Sequence, residues 1–319
     1  MNIENNKFLF LACVGLTASG SDGYDHDDSD VSNIVGMIHN ADLSDHIKEW
    51  FARARTGQVE VNPYWPRGSC LASACFFVNN EFHFDDGLFF TFLESTGVIN
   101  DPISFEDFKE WILGIASFLR LLNEHSAIPA LWNEYCRIVK NRSPQWSGMV
   151  EKAVSAAQDF FGNDAPEMIF NPNLFTPYSA DFVRVGNRII TISSTPDAET
   201  MLHETIHTAI AKYRAAITAF AKTYGLSGFA NKEKMIEFGY MENESSSSIA
   251  HVIEECFVRA FSTVLSGKNE ERLRFHARYG CDSVPFIASH IHRVRPSYKE
   301  LGNFVTSILS AMTEQKRKR

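Results

Sequence analysis

The sequence contains no run of about 18 apolar residues, the length a helix needs to cross a bilayer, so no membrane span is expected. Cysteine is sparse. The six (Cys13, Cys70, Cys75, Cys136, Cys256 and Cys281) are scattered, with no Cys-x-x-Cys pair. That spacing excludes the dense disulfide framework of a small secreted chain and points to buried, reduced thiols and cytoplasmic synthesis. Positive charge is in deficit, with Lys+Arg at 30 against Asp+Glu at 39 and a formal net charge of −9. A nucleic-acid binder presents a basic footprint, and so does a protein that adheres broadly to anionic membrane; neither partner is expected. A basic leader is missing too. The apolar residues 8–16 follow Glu4 and Lys7, which is not the positive start of a signal peptide. That run is expected to be a buried first strand, and any export to use a route without a cleaved signal. No internal repeat is apparent.

What is abundant is apolar and aromatic. Hydrophobic residues make up 45% of the 319, and Phe alone occurs 26 times, enough for a sizeable core. Helical periodicity with capping signals dominates: residues 44–55, 104–143, 147–162, 247–267 and 296–315 all show it. Strand patterns are few. Residues 75–84 suggest two short strands about Asn79-Asn80, and residues 182–193 alternate around Gly186-Asn187, a two-residue hairpin turn. The expected fold class is therefore α+β, predominantly helical. Pro144 and Gly148 interrupt the helical pattern at residues 141–148. This suggests a helical region of unassigned role over residues 1–145, suited to substrate recognition, and a second domain over 146–319. The acidic stretch at residues 25–30 lacks the spacing of a calcium loop and is expected to be a solvated loop.

Residues 203–207 spell His-Glu-Thr-Ile-His. They lie within a pattern expected to form one long helix, capped by Thr195, with Pro196 in its first turn, and stopped by Gly225. On a helix, residues four apart lie one turn above each other, so His203 and His207 can present two imidazoles to one ion. Glu204 is offset by one residue and can reach a water beside that ion rather than the ion itself. This is the arrangement of a zinc hydrolase in which the carboxylate acts as general base.

A catalytic zinc ion takes three protein ligands and keeps one position open. A third His six residues beyond His207, with a Gly at three, would supply it; those positions are Tyr213 and Ile210. The remaining common source is a Glu on a later helix. Residues 249–261 offer Glu254 and Glu255 in an otherwise apolar helix, and helical phase alone does not choose between them. Either acid could instead be exposed, with Glu255 paired to His251 or Arg259 one turn away. His290 and His292 are further candidates.

The stretch His-Glu-Thr-Ile-His, followed some 50 residues later by Glu-Cys-Phe-Val-Arg-Ala-Phe, resembles the glutamate-ligand zincin metallopeptidases, the gluzincins. The second stretch is similar to the Glu-x-Phe-x-x-Ala-Phe pattern of the anthrax lethal factor-like catalytic domains. The resemblance covers residues 180–266. It implies a zincin-like core, with a hairpin packed on the motif helix and a later glutamate helix. It also implies one catalytic Zn2+ ion held by His203, His207 and Glu255, with Glu204 as general base. In that pattern a Tyr two turns before the ligand Glu supports the oxyanion. Ser248 stands there, and Tyr240, further back, is the nominee. The implied activity is zinc-dependent hydrolysis of a specific protein substrate, as in an effector or toxin peptidase acting in another cell. A non-catalytic zincin-fold interaction protein with structural zinc is the alternative.

Overall fold

The computed structural model describes residues 2–21, 24–54, 67–96, 102–175, 181–226, 228–237 and 245–317. It is predominantly helical with a three-stranded sheet. The chain divides into two compact units, one of Met1–Gly148 with Met168–Pro196, the other of Met149–Glu167 with Asp197–Arg319.

In the first unit the apolar run near the N-terminus is a helix, Lys7–Ala18, not the strand its sequence suggests. Asn6 caps it by accepting from the Phe8 and Leu9 amides at 2.8 and 3.0 Å. The helix is apolar all round because it is surrounded. Helices Ser29–His39, Asp45–Ala52, Arg67–Ala74 and Ile115–Glu124 pack on it, and Leu9 to Val14 are at most 3% exposed. A short apolar run buried on every side carries no period that separates helix from strand.

The three strands are β1, Glu167–Pro172; β2, Asp181–Val185; and β3, Arg188–Ser193, in the order β1-β3-β2. β2 and β3 form the expected antiparallel hairpin, with Val183 opposite Ile190 and Gly186 at φ +61° in the turn. The second expected strand pair shrinks to one bridge, Val78 with Phe84, preceded by the 3-10 turn Cys75–Phe77. Asn79 explains why: its side-chain carbonyl accepts from both the Glu81 and His83 amides, closing a tight loop where a ladder would have begun.

The expected break at Pro144 does not occur, and Ile128–Phe161 is one helix of 34 residues with that proline inside it. Proline removes one backbone donor, but buried anchors lie on both sides of it. Tyr135, Ile138 and Val139 precede it, and Trp146 and Val150 follow. Packing outweighs the lost bond.

The second unit is built around the helix Ser246–Leu265, whose residues Val252, Ile253, Cys256, Phe257, Val258, Ala260 and Phe261 are at most 1% exposed. Helices Ala198–Ile210, Arg214–Tyr224 and Val284–Val294 pack against it. The motif helix, Ala198–Ile210, begins two residues later than expected. Asp197, not Thr195, is its cap, accepting from the Thr200 amide at 3.0 Å. It is also shorter. A 3-10 turn at Ala211–Tyr213 separates it from a new helix, Arg214–Tyr224, which does end at Gly225, φ +62°.

Five of the six cysteines are buried, and Cys136 is half-buried. Among the described residues no helix is long and apolar enough to cross a membrane.

One packing constraint is directly testable. A Cβ on Gly15 would lie 2.4 Å from the Phe51 ring. Gly15→Ala should destabilise the first unit by about 1–3 kcal/mol, read from the midpoint of urea unfolding.

Candidate metal centre

The motif helix Ala198–Ile210 and the later helix Ser246–Leu265 run antiparallel, because Glu199 meets Thr263 while His207 meets Glu254. Residues four apart on each helix line the seam between them: Glu199, His203 and His207 on one, Glu255, Arg259 and Thr263 on the other. His203, His207 and Glu255 come together there, each offering one ligand atom within 4.8 Å of the others. Among the described residues no other such group of three occurs.

The spacing is tight. The two Nε2 atoms are 3.1 Å apart, His207 Nε2 is 3.0 Å from Glu255 Oε1, and His203 Nε2 is 3.7 Å from Glu255 Oε2. A tetrahedral ion with ligands at about 2.0–2.1 Å spaces its donors about 3.4 Å apart, so these residues fit one zinc-sized ion. Two imidazoles and a carboxylate also form a zinc-type donor set. The side chains of His203 and His207 are 22% and 20% exposed, so the centre is open on one side.

The two adjacent acids have different surroundings. Glu255 faces the imidazole Nε2 atoms and accepts from Arg259 Nε at 3.1 Å. Glu254 is sealed, its side chain 3% exposed, and lies 3.4 Å from His207 Nδ1. Arg214 grips it with both prongs, Nε to Oε2 at 3.0 Å and a terminal NH2 to Oε1 at 3.1 Å. Arg214 opens the helix that follows the 3-10 turn at Ala211–Tyr213. Glu254 thus orients a His that already faces the centre, the role of a carboxylate behind a metal-bound imidazole.

Charge follows geometry. Burial alone would lower the His207 pKa, but Glu255 and Glu254 reverse that and raise it to about 10. Burial brings His203 down to about 3, with Glu255 only partly opposing. Burial would push Glu255 up; instead His207 and His203 hold its carboxyl well below the usual carboxylate range. The carboxylates that raise the His207 pKa also favour positive charge between the three side chains.

Glu204 is half-buried in the same helical turn, close enough to help raise the His207 pKa. Tyr240 lies outside the described residues. His290 and His292 do not join the group. His290 Nδ1 lies 2.9 Å from the Phe286 carbonyl of its own helix, and His292 is exposed.

Behind the centre stands a second polar cluster that motif reasoning did not pick out. Glu199, 4% exposed, accepts from Thr263 Oγ1 at 2.7 Å and Arg272 Nε at 2.7 Å, and lies 3.2 Å from His276 Nε2. Burial would raise its carboxyl, but the His276 and Thr263 hydrogen bonds and the Arg272 charge bring it to about 2. The legible signal was the spacing of four from Glu199 to His203 to His207.

Comparison of the chain with protein-family models, curated proteins and solved structures finds no match.

Two measurements follow. The full chain should bind one Zn2+ or Co2+ ion per molecule. His203→Ala and Glu255→Gln should abolish this, while Glu254→Gln should weaken it about 10–100-fold without abolishing it. Equal loss in both glutamine variants would remove the distinction between the acids. Second, Glu199 and Glu254 titrate at about 2 when folded, below their ordinary value of 4.5. Their stabilisation is therefore complete above about pH 4.5 and lost as the pH falls toward 2. The melting temperature of the metal-free protein should drop across that window, and drop less steeply in Glu199→Gln.

Proposed function

We propose that the chain is a zinc-dependent endopeptidase that cuts a specific protein substrate. One observation carries the reading. The donor atoms of His203, His207 and Glu255, from two helices some 50 residues apart in sequence, converge within 4.8 Å, with Glu204 in the same turn as the histidines. A zinc ion held there would supply Lewis acidity, lowering the pKa of a coordinated water toward about 7 and polarising a carbonyl.

The chain's own groups do the rest. Glu254 and Arg214 fix the ring of His207, and Arg259 fixes Glu255, so the three ligands are held before anything binds. Glu204 takes the proton of the attacking water on its carboxylate and then delivers it to the nitrogen of the departing amine. A peptide bond needs that second transfer because an unprotonated amide nitrogen is a poor leaving group. The retained carboxylate favours hydrolysis over a purely structural metal site, which has no use for it.

The proposal extends to the fold and the substrate. The motif helix and its glutamate-bearing partner form the heart of a zincin-like core. The first unit, Met1–Gly148 with Met168–Pro196, is large enough to select a protein partner. Likeness to the lethal factor-like domains makes a host or target cell the place of action.

The test is a survey of new protein N-termini in a cell lysate treated with wild type or with Glu204→Ala. Wild type should generate a small set of specific cuts. Glu204→Ala should keep its metal while cutting about 10²–10⁴-fold more slowly. Full cutting by Glu204→Ala overturns the mechanism, and no cutting by metal-loaded wild type overturns the activity.

A further inference from the structure

The seam between the two helices continues past the ligands into buried polar groups that a metal site does not by itself require. Thr263 is 0% exposed, His276 3% and Glu199 4%. They connect back to the centre through one residue. His276 Nδ1 lies 3.3 Å from a terminal NH of Arg259, and Arg259 Nε donates to Glu255 Oε2 at 3.1 Å.

The hydrogen-bond chemistry gives this chain a direction. A guanidinium only donates, so His276 Nδ1 must carry the lone pair. The ring hydrogen then sits on Nε2, which faces Glu199 Oε1 at 3.2 Å. A carboxylate only accepts, so that contact is satisfied as well. Glu199 sets the tautomer of His276, His276 aims Arg259, and Arg259 engages Oε2 of Glu255. Oε1 is left turned to His207 Nε2 at 3.0 Å. Glu199 is itself steadied by Thr263 and Arg272 at 2.7 Å each.

We propose that Arg259 is the positioning residue of the third ligand: aimed by His276 and Glu199, it holds Oε2 of Glu255 so that the carboxylate offers a metal ion one oxygen. The proposal rests on the metal-centre reading above. Well-packed apolar residues would fill the same space at equal or better stability, so bulk packing does not explain a buried chain of two carboxylates, an imidazole and a guanidinium. What Arg259 adds is the choice of oxygen.

The test uses the full chain and Co2+, with affinity read by competition against a chelator and coordination read from the visible spectrum. Arg259→Met keeps the stem and removes the donors. Its Co2+ affinity should fall about 10–100-fold, the usual effect of losing a ligand's hydrogen-bond partner. Its visible band should weaken as the freed second oxygen joins the coordination sphere. Arg259→Lys, which restores charge without the fork, should recover only part of the affinity. Two further variants separate positioning from packing. His276→Asn keeps an acceptor where Nδ1 stood and should bind Co2+ more tightly than the glutamine variant, even if its melting temperature drops. His276→Gln keeps a donor toward Glu199 but loses the acceptor, and should bind more weakly. Wild-type affinity and spectrum in Arg259→Met overturn the proposal. If that variant does not fold, equal Co2+ affinity in the two His276 variants overturns it instead. Failure of wild type to take up Co2+ refutes the metal centre, and the proposal with it, and is distinct from either result.

Discussion

A carboxylate taken out of water between two helices must find cations and donors or give up its charge. The second unit is organised by that requirement. Glu199, Glu254 and Glu255 sit along one helix-helix seam, each facing an arginine: Arg272, Arg214 and Arg259. Arg272 and Arg214 reach their acids from other helices, while Arg259 lies one turn from Glu255 on the same helix. Helix order in this unit is therefore tied to charge pairing as much as to apolar burial. A misdocked helix would leave a buried carboxylate alone, which is costlier than a poor apolar fit. Once ionised, Glu254 and Glu255 supply the negative field that favours positive charge at His207.

The first unit solves the opposite problem. Its N-terminal helix has almost no polar side chain to place, and its charged neighbours belong to the helices wrapped around it. Aromatic rings do much of that wrapping. Trp50 lies against Phe51, Trp111 and Phe118, with ring centroids 4.5 to 5.0 Å apart. The abundance of Phe seen in the sequence goes here into a dry interior, and in the second unit into ring contacts that join Phe220, Phe229 and Phe257 and pair Phe160 with Phe261.

Much of this could be read from the chain itself, and the exceptions have physical causes. The β2–β3 hairpin was legible because Gly186-Asn187 states its turn type. The motif helix was legible because its cap signals and periodicity agree, though Asp197 displaces Thr195 as the cap. The metal-type cluster was legible in the histidine pair, and only resemblance selected Glu255 over Glu254. The N-terminal helix was not legible, since complete burial erases the period. Nor was the continuity of the helix through Pro144, because the anchors that outweigh the proline are tertiary. Arg214 stayed hidden because its partner Glu254 lies 40 residues further along the chain, and no local spacing links the two. Glu199 and His276 stayed hidden because their partnership spans 77 residues of sequence.

The two consecutive acids have one further consequence. Neighbours on an α-helix differ by about 100° in direction and 1.5 Å in height. Glu255 addresses the Nε2 edge of His207 and Glu254 the Nδ1 edge of the same ring, so together they bracket a single imidazole. A slip of the helix by one residue would swing each carboxylate off its nitrogen and leave Arg214 facing the wrong group. The doublet thus works as a two-pin key: it admits one rotational setting of the helix and rejects its nearest neighbours.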